Sequence, residues 1–219
     1  MGRALAAWLM VASAVAATAS PRDVVQGAVG RVIIAIQEEV DTAHLDKPRG
    51  EHRRAEIRRI AGELFDFDEM ARRTLTRHWN ARTPQEQAEF VRLFTELLER
   101  TYIARIEQWS GERITYPGET VDGQWATVRS KIVTRRAEIS LDYRLLMRDG
   151  RWRVYDVLLD GVSFVATFRA EFDRVIQQSS YARLVDKLRK RTVRVEGPEL
   201  AIRPVARTTG NTGRATPAK

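Results

Sequence analysis

The stretch "RWRVYDVLLDGVSFVATFRAEF", residues 151–172, decides how this chain folds. Its first half reads as a β-strand. After Asp160-Gly161, Phe164, Val165, Phe168 and Phe172, followed by Val175 and Ile176, recur at helical spacing. A strand and a helix joined by one Asp-Gly corner, both rich in large apolar side chains, need a shared interior. Asp160 reads as the cap of the helix, with Ser163 as another capping candidate. Asp156 reads as a residue that fixes a turn or pairs with an arginine.

Upstream, "AEISLDYRLLM" at 137–147 alternates cleanly. Ala137, Ile139, Leu141, Tyr143 and Leu145 fall on one face and Glu138, Ser140, Asp142 and Arg144 on the other. Asp149-Gly150 supplies a hairpin turn into 151–159, and the β-branched "QWATVRSKIVT" at 124–134 is extended as well. Three to four antiparallel strands with one apolar face follow. Gly118, Gly123 and Gly161 are candidate pivots.

Further upstream the period is helical. Val25, Val29, Val32, Ile33, Ile36 and Val40 make a stripe along a first helix over 22–46, and "HRRAEIRRIAGELF" at 52–65 makes a second. Asp66 and Glu69 have capping-box spacing for a helix through Leu75. Thr83, Pro84 and Glu86 start another that is predicted to reach Trp109. The apolar residues of that helix spread over roughly 220° of its circumference, so it must be covered on more than one side. "YARLVDKLRKR" at 181–191 is a last, basic helix. The predicted fold is α+β: a curved antiparallel sheet packed against a mostly helical N-terminal half and closing C-terminal helices, enclosing an apolar pocket.

The chain has 219 residues, 43% hydrophobic and 30% charged, with a formal charge of +8 and no cysteine. Disulfides, thiolate metal sites and cysteine nucleophiles are thereby excluded. Residues 1–19, with Arg3, an apolar run from Ala4 to Ala16 and Ala17-Thr18-Ala19, read as a secretory signal cleaved near Ala19-Ser20. A periplasmic destination follows. Residues 20–195 form the predicted domain, and 196–219 a disordered basic tail.

Catalytic motifs are scarce. His44, His52 and His78 do not have zinc-site spacing, and there is no P-loop, Rossmann glycine pattern or G-x-S-x-G. Asp156 and Asp160, four residues apart in a strand, would stand about 13 Å apart, too far for an ordinary glycosidase pair. "RKRTVR" at 189–194 is basic, but Trp125, Tyr143 and Tyr155 lie in alternating strands and read as wall or core, so nucleic acid is not an expected partner.

"FDFDEMARRTLTRHWNARTPQEQAEFVRLFTELLERTY" at 65–102, followed by "WRVYDVLLDGVSFVATFRAEF" at 152–172, resembles the MlaC, or toluene-tolerance, family of periplasmic phospholipid-binding proteins over roughly residues 25–195. One departure is Thr76, where the family's L-G-x-x-W has glycine at a helix bend. The resemblance implies a non-enzymatic shuttle with no cofactor beyond its phospholipid cargo. It also implies exchange with an inner-membrane MCE-type ABC transporter complex and an outer-membrane lipoprotein complex. It points to Tyr102, Ile139 and Val162 as pocket residues. Apolar patterning adds Leu141, Tyr143, Val157, Leu159, Phe164, Phe168 and Phe172 as candidate walls. Each CH₂ of an acyl chain gains about 0.8 kcal/mol on leaving water, so a lipid crosses an aqueous compartment only inside such walls. The expected carrier acts as a monomer. The alternative is a small periplasmic enzyme or ligand-binding module on a similar cone of sheet and helix.

Overall fold

A computed structural model describes residues 19–37, 49–134 and 137–193. The predicted leader up to Thr18, the end of the first predicted helix, His44 and the predicted tail lie outside the described residues. Six α-helices are described: α1 (Pro21–Gln37), α2 (Arg49–Leu64), α3 (Phe67–Leu75), α4 (Pro84–Ile106), α5 (Phe164–Gln178) and α6 (Tyr181–Arg189). Between α4 and α5 run β1 (Arg113–Asp122), β2 (Trp125–Val133), β3 (Glu138–Arg148), β4 (Arg151–Leu159) and β5 (Val162–Ser163). They form one antiparallel sheet in sequence order.

The fifth strand was not predicted, and its origin lies in the opening motif. Asp149 and Gly150 have φ of 49° and 73°, and Asp160 and Gly161 have 47° and 81°. Two consecutive positive φ values are the signature of a tight hairpin turn, so the second Asp-Gly builds a hairpin just as the first does. Asp160 is therefore not the cap of α5: its carboxylate accepts the Ser140 N–H at 2.9 Å. The cap is Ser163, whose Oγ accepts the Ala166 N–H at 3.0 Å.

A bulge shapes β4. Arg144 pairs with Asp156 but Leu145 pairs with Val154, leaving Tyr155 as the extra residue. An extra residue shifts the alternation by one. Trp152 and Val154 before the bulge, and Val157 and Leu159 after it, consequently enter the same core.

Helix starts follow the predicted chemistry. Thr83 and Glu86 form a reciprocal capping box with Pro84 in the first turn. Asp66 accepts the Glu69 N–H at 2.9 Å and holds Arg148 of β3 at 2.7 Å, while its own N–H donates to the Val154 carbonyl at 2.8 Å. The α2–α3 junction is thus stitched to the sheet. α4 ends at Ile106 rather than Trp109, because the Gln108 and Trp109 N–H groups bond three residues back in a tightened last turn. After α3 the chain bends at Thr76, with φ 44° and ψ −114°, where the family's glycine was expected.

Two cores result. One joins α3, α4, α5 and α6, with Phe90, Phe94, Phe168 and Phe172 in edge-to-face and stacked contacts. The other joins α1, α2 and the inner face of the sheet. Phe65 and Tyr102 pack against both. The wide apolar surface of α4 serves both sides, as its spread requires. Of the three strand aromatics read as wall or core, only Tyr143 is buried. Trp125 is 38% exposed and meets Tyr155 edge-on at 5.5 Å, with the Arg73 guanidinium 4.1 Å from the Tyr155 ring centre. Trp125 stands next to inward-facing Ala126 and so points to the outer face.

Candidate functional site

Between α1, α2, α4 and the sheet lies a cavity of about 260 Å³. Each helix turns one stripe toward it at spacings of three and four residues: Val29, Val32, Ile33 and Ile36 from α1; Ile57, Ile60, Ala61 and Leu64 from α2; Leu98, Tyr102, Ile103 and Ile106 from α4. The sheet supplies Ile114, Ile132, Leu141, Tyr143 and Val157, and α5 supplies Phe164. Such a volume is far more than one water occupies, and walls of this kind give water almost nothing to bond. The chamber suits hydrocarbon.

Its polar features are few. Charged lining residues are Arg58, Glu99 and Arg105. Arg58 pairs with Glu99 at 2.9 Å, and the Arg105 guanidinium lies 5.8 Å from the Tyr102 ring centre. Tyr102 stacks on Phe164 with ring centres 4.9 Å apart. Burial pushes the Tyr102 and Tyr143 hydroxyls above the ordinary phenol value, with Tyr116 adding to the effect at Tyr143; burial takes Tyr116 up to about 12. These phenols therefore stay neutral at physiological pH. Ser130, buried on the sheet, donates to the Leu141 carbonyl at 2.6 Å. Trp109 also lines the cavity, and its buried indole N–H has no acceptor among the described residues.

The structure gathers part of the predicted site. Tyr102, Leu141, Tyr143, Val157 and Phe164 line the cavity. Ile139 and Leu159 belong to the sheet-side core without lining it. Phe168 and Phe172 belong to the helical core, because α5 turns away from the sheet after Phe164. Val162 is 51% exposed, since it sits on the two-residue edge strand. The apolar periodicity of α1 and α2 marks them as helices but does not by itself mark their stripes as cavity wall. The broad apolar surface of α4 was the signal that a second layer faced it.

The candidate carboxylates have structural work. Asp156, 3% exposed, accepts Ser163 Oγ–H at 2.7 Å and Val165 N–H at 3.1 Å, with Arg144 at 3.5 Å. It anchors the start of α5, in line with the predicted arginine pairing. His78 lies 2.8 Å from Asp173, which Arg77 also contacts at 2.7 Å. No cluster of three or more metal-ligating side chains occurs among the described residues, and no helix among them is long and apolar enough to cross a membrane.

The sequence model of the MlaC protein family matches residues 31–190. The chain belongs to the MlaC family. Among curated relatives, the toluene tolerance protein ttg2D of Pseudomonas putida is 24% identical over 166 residues, spanning 74% of this chain and 76% of that protein. Among solved structures, a phospholipid-binding protein from Ralstonia solanacearum, determined in complex with a phospholipid, aligns with a TM-score of 0.70 at 24% identity. The alignment covers 79% of this chain and 97% of that one, which establishes a shared fold. In this MlaC-family chain the cavity lies within the matched segment except for the α1 residues before position 31.

Proposed function

We propose that the protein is a periplasmic phospholipid carrier. It holds acyl chains between the sheet and α1, α2 and α4, and moves lipid between outer and inner membranes for an MCE-type ABC transport system that maintains outer-membrane lipid asymmetry. The observation that carries this reading is the cavity, apolar on every side with charge confined to Arg58, Glu99 and Arg105. Membership of the MlaC family and the phospholipid seen with the Ralstonia protein support the choice of ligand. Chemistry on the cargo is disfavoured, because Asp156 and Ser163 are both committed to holding α5. The carrier works on lipid as a monomer. Its expected partners are the inner-membrane transporter complex and an outer-membrane lipoprotein complex.

Solvent extraction of protein purified under native conditions, followed by lipid mass spectrometry, tests the reading. A stoichiometric diacyl phospholipid is expected. Val32→Asp, at a half-buried cavity wall, is expected to remain folded by circular dichroism and come out empty, whereas Val162→Asp at the exposed edge keeps its lipid. Folded wild-type protein that carries no lipid and takes up no labelled phospholipid would overturn it.

A further inference from the structure

Beside the apolar cavity lies a second opening of a different character. Arg54 and Arg58, one turn apart on α2, face Glu96, Glu99 and Arg100 on α4 across a cleft of about 390 Å³, to which Arg191, two residues past α6, also contributes. Arg58, Glu99 and Ile103 line both the cleft and the cavity, so the two adjoin.

The charges in the cleft do not cancel. Glu99 is taken by Arg58 at 2.9 Å, and Glu96 by Arg92 at 2.5 Å from outside the cleft. Arg54 is held by Glu107 at 3.1 Å. Arg100 and Arg191 have no carboxylate partner among the described residues, and both are exposed. Two guanidinium groups bordering one cleft, neither with a carboxylate partner among the described residues, form a site for an anion, and the planar guanidinium fork matches phosphate oxygens two at a time. A phospholipid carries its phosphate one glycerol unit from its chains, so a lipid whose chains enter the cavity past Arg58, Glu99 and Ile103 would leave its phosphate in this adjoining cleft.

We propose that the cleft between α2 and α4 is a phosphate site, with Arg100 and Arg191 binding the head-group phosphate of the lipid whose chains occupy the cavity. This rests on the carrier reading above. The site selects for a phosphodiester at the glycerol and is indifferent to what the phosphate bears beyond it.

The test compares delipidated wild type with R100Q/R191Q, using dioctanoyl phosphatidylglycerol and phosphate-free dioctanoylglycerol as probes, with millimolar inorganic phosphate as competitor. Wild type is expected to prefer the phospholipid by about ten-fold, the scale of one charge-assisted hydrogen bond. The double variant is expected to lose that preference while binding dioctanoylglycerol as wild type does, and inorganic phosphate to weaken only the phospholipid. A double variant that keeps the preference overturns the phosphate site and leaves the carrier reading intact. Inorganic phosphate that binds at Arg100 and Arg191 without competing with the phospholipid assigns the cleft to a free anion and also overturns it. Wild type that binds neither lipid removes the carrier reading and the proposal together.

Discussion

At position 76 a β-branched side chain sits on a backbone with φ 44° and ψ −114°, a conformation that glycine adopts freely and threonine does not. The resemblance leads to an expectation of glycine here, and the bend is flanked by buried Leu75 on one side and by Arg77 and His78, both held by Asp173, on the other. Thr76 is exposed, so removing its side chain forfeits little packing. Thr76→Gly is expected to relieve about 1 kcal/mol of strain, less the entropy gained by the unfolded chain, and to raise Tm by roughly 1–3 °C in calorimetry. An unchanged or lower Tm would show that the threonine makes a compensating contact. Position 160 teaches the complementary lesson. Asp-Gly at 149–150 and at 160–161 is one dipeptide with one backbone solution, yet the helical residues after 161 invited a capping role for Asp160. Turn chemistry was legible there; the apolar pattern beyond it drew attention away.

Among the elements, α2 and α4 meet through Glu107, which holds Arg53 at 3.2 Å and Arg54 at 3.1 Å. Burial pushes the Glu107 carboxyl up, but hydrogen bonds from Arg54 and then Arg53 outweigh it and leave the group below its ordinary 4.5. Glu69 of α3 is lowered in the same manner by Arg72 and Arg73 against its own burial. A carboxylate with a depressed folded value contributes fully above its unfolded value and loses that contribution as pH falls through the folded one. Tm is therefore expected to be flat above about pH 5 and to fall below about pH 4. Glu107→Gln is expected to lower Tm by roughly 1–3 °C at neutral pH, with the gap to wild type closing in acid. A gap that persists once acid has protonated the wild-type carboxyl would mean that the charge plays no part. Helices with strong caps, such as α4, were readable to the residue at their starts. The bulge at Tyr155 was not: the apolar spacing of Trp152, Val154, Val157 and Leu159 does break alternation there, but the adjoining apolar Tyr155 and Leu158 mask the break.

Across the whole molecule, the α+β plan, the order of elements and the apolar face of the sheet were all legible, since each rests on periodicity. Which apolar stripes leave a space between them was not. Val157 and Phe172 are equally apolar in sequence; one faces the cavity and the other is sealed in the helical core, and only the packing of α5 separates them. The cavity sits within the sheet-side core, so its contents should count toward stability. A ligand present at about 100 times its Kd adds roughly 2.7 kcal/mol. Stripping the lipid is therefore expected to lower Tm by roughly 5–10 °C, recovered on reloading. Identical melts for stripped and loaded protein would place the lipid elsewhere than in the core.

The separation of the two cores also bears on how such a chain can change over generations. Phe90, Phe94, Phe168 and Phe172 lock the helical core without touching the chamber, which that core meets only through Met70 and Leu98 and partly buried Phe65, Phe67 and Tyr102, while α1 and the sheet wall the chamber from the other side. Enlarging or narrowing the chamber from the side of α1 or the sheet need not disturb the phenylalanines. A laboratory selection for bulkier or slimmer cargo should accordingly gather its substitutions on α1 and the inner sheet face and spare the phenylalanine cluster, with Phe65 and Tyr102, which line the chamber and touch both cores, as the positions where new cargo and old architecture come into conflict.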